Sequence, residues 1–143
     1  MKLIAACETI RWLRTLYHDL CYASLSGFAN AIQQDPSCLA LAAISVSLQE
    51  AHHMAEYVSN LTRQTEYGSD PRASAALHDC FSNFGDALDK IRGSLKQMRQ
   101  AVSPGSDESF KFQTSNARTL MRAALTDGEI WTDGGLRMSQ MAR

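Results

Sequence analysis

Between residues 77 and 102 the apolar side chains keep a single rhythm. Leu77, Phe81, Phe84, Leu88, Ile91, Leu95, Met98 and Val102 recur at alternating intervals of four and three. On a helix of 3.6 residues per turn that spacing gathers them into one stripe. A strand cannot use it, because strand side chains change face at every residue. The segment therefore predicts a long helix with one side to bury, which needs other helices to bury it against. Asp70-Pro71 reads as its start: the carboxylate caps a first-turn N–H, and proline lacks only a donor that the first turn leaves unused. Ser103-Pro104-Gly105-Ser106 reads as its end. Gly85 and Gly93 lie off the stripe and cost about 1 kcal/mol each in helix propensity. Gly85, beside Phe84, is where close approach of a neighbouring helix is expected.

The same design precedes it. Asp35-Pro36 is a second start signal, followed by Leu41, Ile44, Leu48, Ala51, Ala55 and Val58 on one stripe as far as about Leu61, before a polar stretch from Thr62 to Ser69. A third helix is predicted from about Gln113 to Thr126, with Ala117, Leu120, Ala124 and Leu125 inward. From Asp127 the chain holds Gly128, Gly134 and Gly135 without periodicity, and a loose tail is expected. The segment from about Ile10 to Ala31 reads as two short helices packed as a hairpin. No strand alternation, internal repeat or low-complexity tract breaks this pattern. The expectation is one all-α domain over 1–143: a hairpin in 1–34, antiparallel up-and-down bundle helices in 35–126, and a tail in 127–143.

Composition removes several function classes. Fourteen basic against fifteen acidic residues leave a formal charge of −1, so no basic excess draws the chain to nucleic acid. No apolar run approaches the ~20 residues of a membrane span. The start, Met1 to Cys7, has some signal-peptide character, but Glu8 and Arg11 cut the apolar stretch short. The four cysteines, Cys7, Cys21, Cys38 and Cys80, form no C-x-x-C pair, and the even count suits either two disulfides or buried thiols.

Candidate chemistry is sparse. Helical bundles hold di-iron centres with paired Glu-x-x-His motifs. Glu50-Ala51-His52-His53 supplies one copy, and it lies off the apolar stripe. His18, His52 and His78 have no partners at ligand spacings; His52 and Glu56, at i,i+4, read as a surface pair. There is neither a G-x-S-x-G elbow nor a phosphate-cradling glycine loop. No catalytic residue, cofactor or metal is predicted. Asn60-Leu61-Thr62 is an N-glycosylation acceptor triplet.

Four stretches carry a likeness to a known family. They are Thr15-Leu16-Tyr17-His18-Asp19-Leu20-Cys21 with Tyr22 to Ser26; Leu41 to Leu48; Ala76-Leu77-His78-Asp79-Cys80 with Phe84, Asp86-Ala87 and Leu88; and Thr119 to Asp133 through Ala123-Ala124-Leu125-Thr126. In order and spacing, over about 10–135, they resemble the plant invertase and pectin methylesterase inhibitors, a domain also found as the pro-region of some pectin methylesterases. The resemblance implies a small secreted protein of the apoplast, with a helical hairpin and a four-helix bundle. It implies an inhibitor, not an enzyme, that covers the active-site cleft of a cell-wall enzyme.

The departures from the family pattern shape what is expected. Cys21 and Cys80 match one member of each familial disulfide, while Trp12 and Trp131 stand at the partner positions, removing typically about 2–4 kcal/mol per bridge. Cys7 is the candidate substitute partner for Cys21, Cys38 is spare, and His18 replaces a hairpin proline. The chain stops at Arg143 where the family continues into its last bundle helix. Apolar stripe surface on the first two long helices is therefore expected to lie open, predicting a marginal monomer that self-associates. Within the family, invertase inhibitors carry Pro-Lys-Phe in the loop before the third bundle helix, and here that region reads Phe110-Lys111-Phe112. An amphipathic helix start explains those residues equally well. Other wording, Asp79-Cys80 and Thr126-Asp127, leans towards the pectin methylesterase inhibitors. The candidate partner-binding residues are Asn83, Asp86, Thr126 and Asp127, with Lys111 and Phe112 for an acid invertase. A degenerate copy without inhibitory activity is the competing reading.

Overall fold

The computed structural model describes residues 18–33, 35–65 and 70–141, with side chains for 19–33, 35–64 and 70–129. Among the described residues every regular element is a helix. In chain order they are α1 (His18–Leu25), a 3₁₀ turn (Ser26–Phe28), α2 (Ala29–Ile32), α3 (Pro36–Thr65), α4 (Pro71–Ala101) and α5 (Asp107–Met141). This is the all-α class that the periodicity predicts. The residues group into two compact units, Met1–Val46 and Ser47–Arg143.

In the first unit, Leu25 and Ile32 are buried at 4% and 3% exposure. Gln33 ends α2 in a left-handed conformation, φ 44°, and the Asp35 N–H donates to the Ile32 carbonyl at 2.8 Å. Asp35 then caps α3: its Oδ1 accepts from the Ser37 N–H at 2.8 Å. The first half of the expected hairpin, before His18, lies outside the described residues.

In the second unit the Asp70 carboxylate accepts from the Arg72 N–H at 3.0 Å and Pro71 opens α4, as its start signal predicts. The stripe members Leu88, Ile91, Leu95 and Met98 are buried, each worth about 1.5–3 kcal/mol. The buried face is wider than the apolar pattern. It includes Cys80, Ala87, Ser94 and Ala101, small residues seven apart that let another helix come close. α5 takes that place. The Ser94 hydroxyl, fully buried, donates to the Ala117 carbonyl at 2.9 Å. A Cβ on Gly93 would stand 3.2 Å from Leu120 Cδ1, and Lys90 reaches Asp127. As α4 numbers fall from 94 to 90, their α5 partners rise from 117 to 127, so the two helices run antiparallel.

Several expectations need correction. The close approach falls at Gly93; a Cβ on Gly85 would meet nothing within 4 Å. Leu125 points outward at 65% exposure, and Phe81 and Val102 are each 44% exposed. The stripes of α3 and α4 are covered in part: Ile44, Ala55, Val58, Leu88, Ile91, Leu95 and Met98 are buried, while Phe81 and Val102 stay exposed. α5 is far longer than predicted. It begins at Asp107, because the Ser106 hydroxyl accepts from the Ser109 N–H at 3.2 Å and Asp107 and Glu108 suit the positive end of the helix dipole. It continues helical to Met141, through the segment predicted as a loose tail. Its glycines lower propensity without stopping the helix, since no proline follows them.

Candidate partner-binding surface

Asn83 and Asp86 are three residues apart on α4, so they share a side of the helix. Asn83 is half-buried and Asp86 exposed. One turn further, Lys90 extends across to α5 and pairs with Asp127, Nζ to Oδ2 at 2.5 Å, the two side chains 34% and 17% exposed. Asp127 is thus a half-buried carboxylate in mid-helix, with its charge matched by a cation from the neighbouring helix. An ion pair this sheltered escapes much of the screening that makes surface pairs weak. Lys90 links the Asn83–Asp86 side of α4 to Asp127, a role that the sequence reading missed. The i+4 spacing from Asp86 puts Lys90 on this side of α4, but no sequence signal points to Asp127. Thr126 is exposed, about 100° around α5 from Asp127, and its hydroxyl donates to the Arg122 carbonyl at 3.1 Å.

Lys111 and Phe112 form a separate patch. They lie in the second turn of α5, not in a loop, with Phe112 63% and Phe110 42% exposed. At about 1.5 Å of rise per residue, Phe112 is roughly 22 Å along the helix from Asp127. The six candidate residues therefore divide into two groups: Lys111 and Phe112 near the start of α5, and the other four on α4 and α5 around the Lys90–Asp127 pair.

Cys21 is half-buried, Cys80 is buried, and Cys7 and Trp12 lie outside the described residues, as do the side chain of Trp131 and any Cys7–Cys21 bridge. The Cys38 thiol is pushed up from its usual range by partial desolvation and by the Asp35 carboxylate, whose charge and hydrogen bond both favour the protonated form. Glu50 and His53 approach to 3.9 Å on the outside of α3, with side chains 69% and 59% exposed. Among the described residues no three His, Cys, Asp or Glu side chains gather as a metal site. His52 meets a different partner from the one expected: its Nε2 lies 3.0 Å from Arg92 Nη2 of α4. The guanidinium reaches in two directions, its Nη1 donating to Asp89 at 3.0 Å.

With this geometry in hand, comparison with known proteins identifies the class. A family model described as plant invertase/pectin methylesterase inhibitor matches residues 3–136. The chain belongs to that family. Among its relatives, a protein named pectinesterase inhibitor 11 of Arabidopsis thaliana is 34% identical over 120 residues, 84% of this chain and 58% of the relative. Pectinesterase inhibitor 3 of the same plant is 36% identical over 121 residues, 82% and 57% of the two chains. A 21 kDa protein of Daucus carota is 35% identical over 120 residues, 84% and 61%. The chain thus spans about three-fifths of the length of these relatives. No solved structure gives a significant match. None of the described helices is long and apolar enough to cross a membrane.

Proposed function

We propose that this chain inhibits a plant pectin methylesterase in the apoplast by lying over the enzyme's active-site cleft, with the Asn83–Asp86 side of α4 and the Thr126–Asp127 region of α5 as its contacts. The observation that carries the reading is the Lys90–Asp127 pair, which holds polar residues of two helices in one fixed arrangement; the names of the relatives agree with it. Binding through such a surface places the burden on a few residues. Asp86→Ala is expected to weaken inhibition by about tenfold, equivalent to 1.4 kcal/mol, while Lys111→Ala changes it little.

An acid invertase is the second candidate target, favoured by the exposed Phe110, Lys111 and Phe112 at the start of α5. Titration of the purified chain against a plant pectin methylesterase and an acid invertase at mildly acidic pH separates the two. Stoichiometric inhibition of the esterase alone is the expected result. Inhibition of the invertase alone, lost in Phe112→Ala, transfers the site to the start of α5. Inhibition of neither, by chain shown to be helical, refutes the proposal and leaves a degenerate copy. Self-association would use exposed apolar residues such as Tyr57, 59% exposed, and Val102 at the end of the α4 stripe, 44% exposed. Sedimentation velocity across a concentration series reads it directly.

A further inference from the structure

We propose that Asn60 carries an N-linked glycan whose first N-acetylglucosamine lies in the groove between α3 and α4, against Phe81. This rests on the secretory location in the function proposed above, because the oligosaccharide is transferred as chains enter that pathway. Asn60-Leu61-Thr62 has the acceptor pattern, with no proline in the middle. Asn60 is exposed on the last turns of α3.

The surroundings of Asn60 suit a sugar. It stands at a groove of about 430 Å³, lined by His52, Glu56, Ser59 and Arg63 of α3 and by Phe81 of α4. Phe81 belongs to the apolar stripe of α4 yet is 44% exposed. Its electron-rich ring face suits the C–H face of a pyranose, and the charged and hydroxyl groups around it suit the ring hydroxyls and the acetamido group. A sugar on Asn60 covers this aromatic ring.

Thr62 fixes when the modification happens. Its hydroxyl donates to the Val58 carbonyl at 2.9 Å, and the residue is only 7% exposed. In the folded chain that hydroxyl is not available to a transferase, so transfer precedes closure of this turn. The donor is an oligosaccharide linked through pyrophosphate to a polyprenyl lipid. The Asn60 amide nitrogen bonds to the sugar C1, the C1–O bond to pyrophosphate breaks, the lipid pyrophosphate leaves, and the amide proton passes to a base of the transferase.

The test uses the full chain behind a secretory leader, expressed in plant cells and recovered from the medium. An Asp107→Asn variant, which completes a second acceptor triplet with Glu108 and Ser109 at the exposed start of α5, serves as an internal control. Peptide N-glycosidase is expected to lower the mass of the parent and to leave position 60 as aspartate; Asn60→Gln abolishes both changes. An unmodified Asn60 in secreted protein overturns the proposal, and a glycan at position 107 of the variant in the same sample assigns the failure to the site. For the placement, protein trimmed to one N-acetylglucosamine is expected to show ring-current-shifted sugar protons, lost in Phe81→Ala. Sugar signals at free-solution positions overturn it. Inhibition assays on the same material report separately: an unglycosylated inhibitor leaves the proposed function standing, and a glycosylated non-inhibitor leaves the site standing.

Discussion

Replacing Gly85 and Gly93 by alanine, one at a time, separates helix propensity from packing within one helix. Alanine is better than glycine in a helix interior by about 0.8–1 kcal/mol. At Gly85 the new Cβ meets nothing within 4 Å, so the whole gain, about 1 kcal/mol, should appear. At Gly93 it stands 3.2 Å from Leu120 Cδ1 and 3.9 Å from Cδ2, the first closer than the optimum of about 3.5–4.0 Å for carbon pairs. Leu120 must turn off its rotamer by some degrees, costing about 0.5–1 kcal/mol. The net effect at Gly93 is then about 0–0.5 kcal/mol. For a chain of this size a change of about 1 kcal/mol moves the melting temperature by roughly 3–4 °C. Thermal and urea unfolding should therefore rank Gly85→Ala above Gly93→Ala above the parent, the last two nearly coincident. In a Leu120→Ala background the contact is gone, and Gly93→Ala should recover the full gain. Equal gains at both glycines in the parent, or no recovery in that background, would refute the placement of α5 on Gly93.

Further substitutions probe the caps, the interface and one thiol. Ser94→Ala should cost about 1 kcal/mol by removing the hydroxyl bond to Ala117, and Ser94→Leu about 1–3 kcal/mol by overpacking a fully buried position; chemical denaturation measures both. Lys90→Met should destabilise more than Lys96→Met, because it leaves the half-buried Asp127 without its cation; a smaller loss in a Lys90→Met/Asp127→Asn double variant identifies the pair as the cause. Asp70→Ala should cost about 1 kcal/mol and Asp70→Asn much less, since asparagine still accepts from the Arg72 N–H. Asp35→Asn should speed alkylation of Cys38 at mildly alkaline pH. Desolvation and the carboxylate raise the thiol's pKa in the folded chain, so the associated stability is present below the ordinary thiol range and is lost as pH rises through the elevated one.

Helix existence was legible because its signals are redundant. Asp35-Pro36 and Asp70-Pro71 each combine a side-chain cap with a proline that fits only a first turn, and four successive stripe members from Leu88 to Met98 are buried. What escaped reading has a common cause: small residues carry no weight in an apolar pattern. Ser94 reads as polar and Gly93 as a flaw, yet both lie where α5 comes closest. The start of α5 was misplaced because Ser103 to Ser106 reads as a stop, although Ser106 is also a cap. Its far end was misplaced because glycine lowers helix propensity by only about 1 kcal/mol, and no proline follows to stop the helix. The site divides similarly. Asn83 and Asp86 share a helix side by number alone, but the link to Asp127 depends on which α5 turn faces Lys90, a register set by packing.

The hydroxyl of Thr126 has a consequence for recognition. Its proton is committed to the Arg122 carbonyl, as that of Thr119, seven residues earlier on the same side of the helix, is to the Ser115 carbonyl one turn back. What each oxygen still offers is a lone pair, not a hydrogen. This edge of α5 is therefore a row of acceptors, and it selects partners by polarity: amides, ammonium groups and guanidinium groups can meet it, whereas a carboxylate or carbonyl can do so only by displacing a bond within the helix.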